Sequence, residues 1–201
     1  MKSLNKDYQN QKLNIESRLK DFKAIESKNY LNELLFCLLT PQSQAQKCWK
    51  AVQELDKIDL KNTNIKEIAN ILKSKTRFHN NKAKYVKETV KNWENIKKNL
   101  NNKNVLELRN WLAENVSGMG YKEASHFLRN IGKSNNQIAI LDRHILRNLH
   151  SLKVIKSNKL KGKNHYFEAE RQFLSFAKET KIPIDHLDLL FWSQENGEIF
   201  K

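Results

Sequence analysis

The chain has 201 residues, with 37 Lys+Arg against 22 Asp+Glu and a formal charge of +15. That length suits one sizeable domain or two small lobes, and the charge excess favours a polyanionic partner, with lysine used for solubility as the bland alternative. Two cysteines build neither a disulfide framework nor a four-thiolate iron–sulfur site, no stretch is apolar for long enough to span a bilayer, and Met1-Lys-Ser-Leu-Asn-Lys lacks a signal segment, so a reducing cytoplasm is expected and a membrane role is not.

Glycine is scarce, and proline stands only at 41 and 183. No segment alternates convincingly as a strand, whereas apolar residues recur at three and four throughout. An all-α fold is predicted, with helices over about 7–24, 29–40, 43–56, 64–73, 79–98, 104–115, 121–131, 142–151, 164–180 and 184–194. Cys37 sits in the apolar run Leu34-Leu-Phe-Cys-Leu-Leu39 and reads as a small buried residue. Pro41 breaks the chain after Thr40, leaving Gln42 and Gln44 at a helix–helix junction. Asn64 is placed to cap the following helix, with Glu67 as its capping-box partner. Arg77-Phe78-His-Asn-Asn-Lys82-Ala-Lys84-Tyr85 combines an aromatic with dense positive charge. By periodicity Phe78 fits core packing as well as an exposed role, and the basic residues read as a solvated face. Ser157–Asn164 is polar and basic, the best candidate for a flexible loop.

The most informative stretch is Val116-Ser-Gly118-Met-Gly120-Tyr-Lys122. Two glycines allow a tight turn, and Ala124, Phe127, Leu128 and Ile131 carry a helix onward to a stop at Gly132. Backbone N–H groups at that helix start form a site for one phosphate, with the amine of Lys122 beside it. A buried or cation-flanked lysine loses its proton more readily and becomes a nucleophile. Asp142, just before Arg143-His-Ile-Leu, is expected to be an N-cap acceptor. Taken singly, such a lysine is a solvated charge and such an aspartate only a cap. His126, His144 and His150 lack companions at metal-ligand spacing.

Gly118-Met-Gly-Tyr-Lys122 followed by Leu141-Asp142-Arg-His resembles the helix-hairpin-helix DNA glycosylases that carry a catalytic lysine and aspartate. The run Gly120–Gly132 and the ending Leu187-Asp188-Leu-Leu-Phe-Trp192…Lys201 are similar to the type-2 8-oxoguanine DNA glycosylases, which combine glycosylase and AP lyase activities. The resemblance implies two helical lobes flanking a DNA-binding cleft: residues 1–42 with 131–201, and residues 43–130 ending in the helix-hairpin-helix. It implies that Lys122 attacks the sugar and that Asp142 assists. Phe78, Asp188, Trp192 and Lys201 would read the base. Gln42, or else Gln44, would fill the gap left by the extruded nucleotide. Lys82, Lys84, Gly118 and Gly120 would meet the DNA backbone. The carbonyls of Glu114, Val116 and Met119 would hold a monovalent cation, no other cofactor being required. The expected partner is duplex DNA containing 8-oxoguanine, bound by a monomer. A glycosylase for other oxidised or mismatched bases, and a non-catalytic hairpin module, are the competing readings. The first is disfavoured by the C-terminal match, and the second leaves Asp142 unexplained beyond capping.

Overall fold

The computed structural model describes residues 2–201, and among these all regular structure is helical. Eleven α-helices follow in order: α1 Lys2–Lys23, α2 Tyr30–Leu39, α3 Ala45–Leu55, α4 Ile65–Lys73, α5 His79–Lys91, α6 Trp93–Asn99, α7 Val105–Asn115, α8 Tyr121–Asn130, α9 Arg143–Ser151, α10 Gly162–Thr180 and α11 Ile184–Asn196. The all-α expectation holds, with two adjustments. The first helix begins at Lys2 rather than near residue 7. The helix predicted over 79–98 is two, broken at Asn92, whose φ of −95° and ψ of 8° lie in the bridge region between helix and strand. The basic connection ends at Lys161, because Gly162 already opens α10. No helix among the described residues is long and apolar enough to cross a membrane.

Local chemistry sets several helix starts. Asn64 Oδ1 accepts the Glu67 N–H at 3.0 Å at the head of α4. Asn104 does the same for α7, taking the Leu106 and Glu107 N–H groups at 3.1 and 3.3 Å. Each satisfies donors that a helix terminus leaves without partners. Helix α8 stops at Gly132, with φ of 69°, where the Lys133 N–H returns to the Leu128 carbonyl at 2.7 Å. A Cβ there would come within 2.7 Å of Lys23 Cα, so the end of α1 also requires glycine at this position.

The chain divides into two compact units, one of Met1–Ala24 with Leu128–Lys201 and one of Ile25–Phe127. The first junction lies earlier than the sequence reading places it. Residues 25–42 go with the middle of the chain, because α2 is apolar on nearly every side and packs on both α3 and α5. The second junction falls inside α8, close to residue 130. In the unit made from the chain ends, α1 packs on α11, which also meets α9 and α10. Ile15, Phe22, Phe173, Leu187 and Phe191 form its core, with the Phe173 and Phe191 rings stacked 6.2 Å apart. In the continuous unit, Leu34, Leu35, Phe36, Leu38 and Leu39 of α2 are buried where it meets α3 and α5, which contribute Val52, Leu55 and Val86, while the buried Ile68 and Leu72 belong to α4, which packs on α3 and α5.

Candidate active site and nucleic-acid interface

In the continuous unit, α7 and α8 form the hairpin. Val116 leaves the helical region and its carbonyl accepts the Met119 N–H at 3.1 Å. Gly118 has φ of 81°, and a Cβ there would come within 2.4 Å of the Tyr85 ring. Both backbone conformation and ring contact therefore require glycine at 118. Gly120 has no such backbone requirement; a Cβ would sit 3.1 Å from the Glu123 carboxylate, the end of a flexible side chain.

Gly120 opens α8, its carbonyl accepting the Ala124 N–H at 2.9 Å. Glu123 folds back so that Oε2 accepts the Gly120 N–H at 3.2 Å, half of a capping box. Its other oxygen, Oε1, lies 3.1 Å from Lys122 Nζ. One carboxylate thus spans the helix start and the amine. The Lys122 side chain is 22 % exposed, sheltered yet reachable. Its positive charge bears on Cys48 and on Lys82. Burial pushes the Cys48 thiol up to about 11, and it donates to the Leu39 carbonyl at 3.2 Å. A protonated, buried thiol is no nucleophile.

The turn after α2 presents Gln42, which is exposed with φ of 54°. Gln44, also exposed, is the N-cap residue of α3, and its side chain makes no capping bond. Phe78 is not a core residue. It is 53 % exposed at the head of α5, with φ of 57° and the Arg77 guanidinium 5.3 Å from its ring centre. Lys84 is exposed, as a phosphate contact requires. Lys82 is not: it is 3 % exposed, and its ammonium donates to the Leu39 and Pro41 carbonyls and to Ser43 Oγ at 2.7, 2.8 and 2.9 Å. Its expected place on the DNA-facing surface is corrected, since all three donors are spent inside the protein. Periodicity carried the signal, for Lys82 precedes the buried Val86 and Val90 by four and eight residues on one face of α5.

In the unit of the chain ends, Asp142 caps α9. Its Oδ1 accepts the His144 and Ile145 N–H groups, each at 2.8 Å, leaving Oδ2 outside the cap. Helix α9 is tied to α11 through Glu195, which meets His144 Nδ1 at 3.1 Å and Arg147 Nη2 at 2.7 Å. Asp188 is 4 % exposed, and its Oδ2 lies 3.3 Å from the equally buried Arg129, which stands 4.9 Å from the Phe22 ring centre. It is placed as a buried counter-ion rather than as an open acceptor. Its spacing from Ile184, Leu187 and Phe191 signals that inward face. Trp192 is half-buried one turn on. Helix α11 ends at Gly197, with φ of 79°, and the tail to Lys201 runs beside α1, where Arg18 Nη2 donates to the Ile199 carbonyl at 3.5 Å. A groove of about 400 Å³ between them is lined by Gln11, Asn14, Arg18, Ser193 and Glu198.

A glycine hairpin with a sheltered lysine on the first turn of its second helix, and a carboxylate N-cap a short way along the chain, define a lysine-bearing helix-hairpin-helix protein. Comparison with known proteins gives the family. Residues 15–182 match the model of the Ogg-HhH family, 8-oxoguanine DNA glycosylase, and the chain belongs to that family. It is 44 % identical to the 8-oxoguanine DNA glycosylase/AP lyase of Fusobacterium nucleatum, over 98 % of this chain and 96 % of that relative. The Methanocaldococcus jannaschii enzyme of the same name is 32 % identical over 93 % of this chain and 91 % of its own. Among solved structures, the 8-oxoguanine DNA glycosylase of Thermotoga maritima superposes with a TM-score of 0.89 at 27 % identity, covering 100 % of this chain and 97 % of that one. The M. jannaschii glycosylase/lyase, solved in complex with a 15mer DNA containing 8-oxoguanine, gives 0.85 at 30 % identity, with 100 % of both chains covered.

Proposed function

We propose that this protein excises 8-oxoguanine from duplex DNA and then cleaves the strand, with Lys122 as the nucleophile. The observation that carries this reading is the position of Lys122 in a chain of this family. The amine is mostly sheltered, two residues past Gly120, and paired with the Glu123 carboxylate 3.1 Å away. The target nucleotide leaves the base stack, and Phe78 and Trp192 offer faces for the extruded base. An acceptor from Lys201 tells 8-oxoguanine from guanine, because only the oxidised base carries a proton on N7. Asp188 acts behind these residues through Arg129. Gln42 fills the vacated space, Lys84 and the Gly118 amide take phosphate, and the Gly120 amide, which Glu123 holds, joins them only when that carboxylate releases it.

The chemistry follows in balanced steps. The neutral Lys122 amine attacks C1′ of the deoxyribose, and the C1′–N9 bond breaks with its electron pair leaving on the base, which is protonated. Asp142 stabilises positive charge on the sugar in that step and relays protons. The C1′–O4′ bond then breaks, its electron pair staying on O4′, which takes the proton lost by the attacking amine, and a protonated Schiff base forms between Lys122 and C1′. Removal of a C2′ proton sends its electron pair into a C2′=C3′ bond and expels the 3′ phosphate. Water then hydrolyses the Schiff base and frees the amine. Apart from that water, the steps use groups of the chain and of DNA. The carbonyls of Glu114, Val116 and Met119 edge the turn, and the Val116 oxygen keeps a lone pair beyond its bond to Met119. A monovalent cation held there would add positive charge beside the phosphate. The protein is proposed to act as a monomer in the cytoplasm.

Borohydride reduces the Schiff base to a stable protein–DNA adduct. Wild-type protein with an 8-oxoguanine duplex gives that adduct, and Lys122→Gln gives none. Trapping that survives the substitution means that another amine is the nucleophile.

A further inference from the structure

Gln42 and Phe78 share two properties. Both are exposed, and both hold a left-handed backbone, with φ of 54° and 57°. Non-glycine residues keep that conformation only where their surroundings over-determine it. Here the surroundings are one side chain and its immediate partner. Lys82 donates from its ammonium to the Leu39 carbonyl, the Pro41 carbonyl and Ser43 Oγ, all within 2.9 Å. Its own backbone N–H donates to the Phe78 carbonyl at 3.0 Å. Ser43 Oγ, besides receiving Lys82, accepts the Arg77 N–H at 2.9 Å, while the Ser43 N–H closes the turn on the Thr40 carbonyl at 2.9 Å. A tetrahedral ammonium with three donors matches three converging acceptors, a pattern that the planar fork of arginine does not fit.

We infer that Lys82 is a positioning residue: its buried ammonium locks the Thr40–Ser43 turn to the start of α5, so that Gln42 meets the vacated space and Phe78 the extruded base as one rigid piece. The inference rests on the DNA-contacting roles proposed for those two residues. It assigns no contact with substrate to Lys82 itself. Wedge and stacking face then keep a fixed spacing, as a preorganised site requires.

The test compares two single-turnover rates: excision of 8-oxoguanine from duplex DNA, and nicking of a preformed abasic site in single-stranded DNA. The second substrate has neither a base to stack nor an orphaned partner to contact. Each variant is assayed at its own optimal pH, which removes the influence of Lys82 on the charge of Lys122. Lys82→Met is expected to lower duplex excision at least tenfold and to leave single-strand nicking within threefold. Ser43→Ala, which removes only the shared hydroxyl, is expected to give a smaller loss in the same direction and keeps the test open if Lys82→Met folds poorly. Combining Phe78→Ala with Lys82→Met should cost less than the product of the single losses. Equal losses in both assays, or no loss in either, overturn the inference. Unchanged excision in both Gln42→Ala and Phe78→Ala is a separate failure, of the reading of those residues.

Discussion

At the scale of single residues, Lys82 ties structure to pH. Burial lowers its pKa from 10.5 to about 8. The neighbouring Cys48 opposes that shift, and the Lys122 and Arg77 charges add to it. The unfolded chain keeps this proton up to about pH 10.5, and the folded chain only to about pH 8. Between those values the unfolded state binds more protons, so this group's contribution to stability rises with pH. It is complete above the unfolded value and lost as pH falls through the folded one. At neutral pH the protein therefore carries a buried charge at a cost, which three short hydrogen bonds offset. Thermal melts of wild type and Lys82→Met from pH 7 to 10 should show the wild type gaining relative to the variant above pH 8. A difference that stays flat across that range means Lys82 does not titrate there. Glu123 belongs at this scale too. Its capping role was not legible in the sequence, because a capping box is read from Ser or Thr three residues earlier, and here glycine stands in that position.

At the scale of elements, the hairpin, the Asn64 cap and the Asp142 cap were legible in the sequence. Each rests on a short local pattern: glycine at a left-handed turn, or an acceptor two or three residues before a helical amide. The break at Asn92 was not legible, because apolar spacing runs on through α5 and α6 as if they were one helix. The inward faces of Lys82 and Asp188 were legible from periodicity but masked by their charge. Asp142 combines a cap with its proposed catalytic role, and the two are separable. Asp142→Ser keeps a good N-cap while removing the carboxylate. Its melting temperature should stay within a few degrees of wild type, while 8-oxoguanine excision falls by about two orders of magnitude or more, the scale on which one electrostatic contribution to a transition state acts. Loss of stability without that fall would reduce Asp142 to a cap.

At the scale of the whole molecule, the chain forms two compact units, and each residue singled out above falls in one or the other. Lys122, Gln42 and Phe78 belong to the continuous one, and Asp142, Trp192 and Lys201 to the one built from the chain ends. The family resemblance implied a discontinuous arrangement, with its first junction after α2, whereas the units divide before it. No local pattern tells which neighbour an apolar helix will choose, since that depends on long-range packing. The tail assigned to base reading makes a prediction at this scale. Removing Lys201 should reduce release of 8-oxoguanine more than nicking at a preformed abasic site. Equal reduction of both would argue against a part in recognition.

The unit of the chain ends also bears on how the protein is made. Helix α1 packs on α11, so it leaves the ribosome long before its partner is synthesised. The segment Ile25–Phe127 is continuous and meets no such delay. Biosynthesis therefore favours an order in which the lysine-bearing half matures first and the amino-terminal helix waits, its apolar stripe uncovered, for translation to reach the final helix.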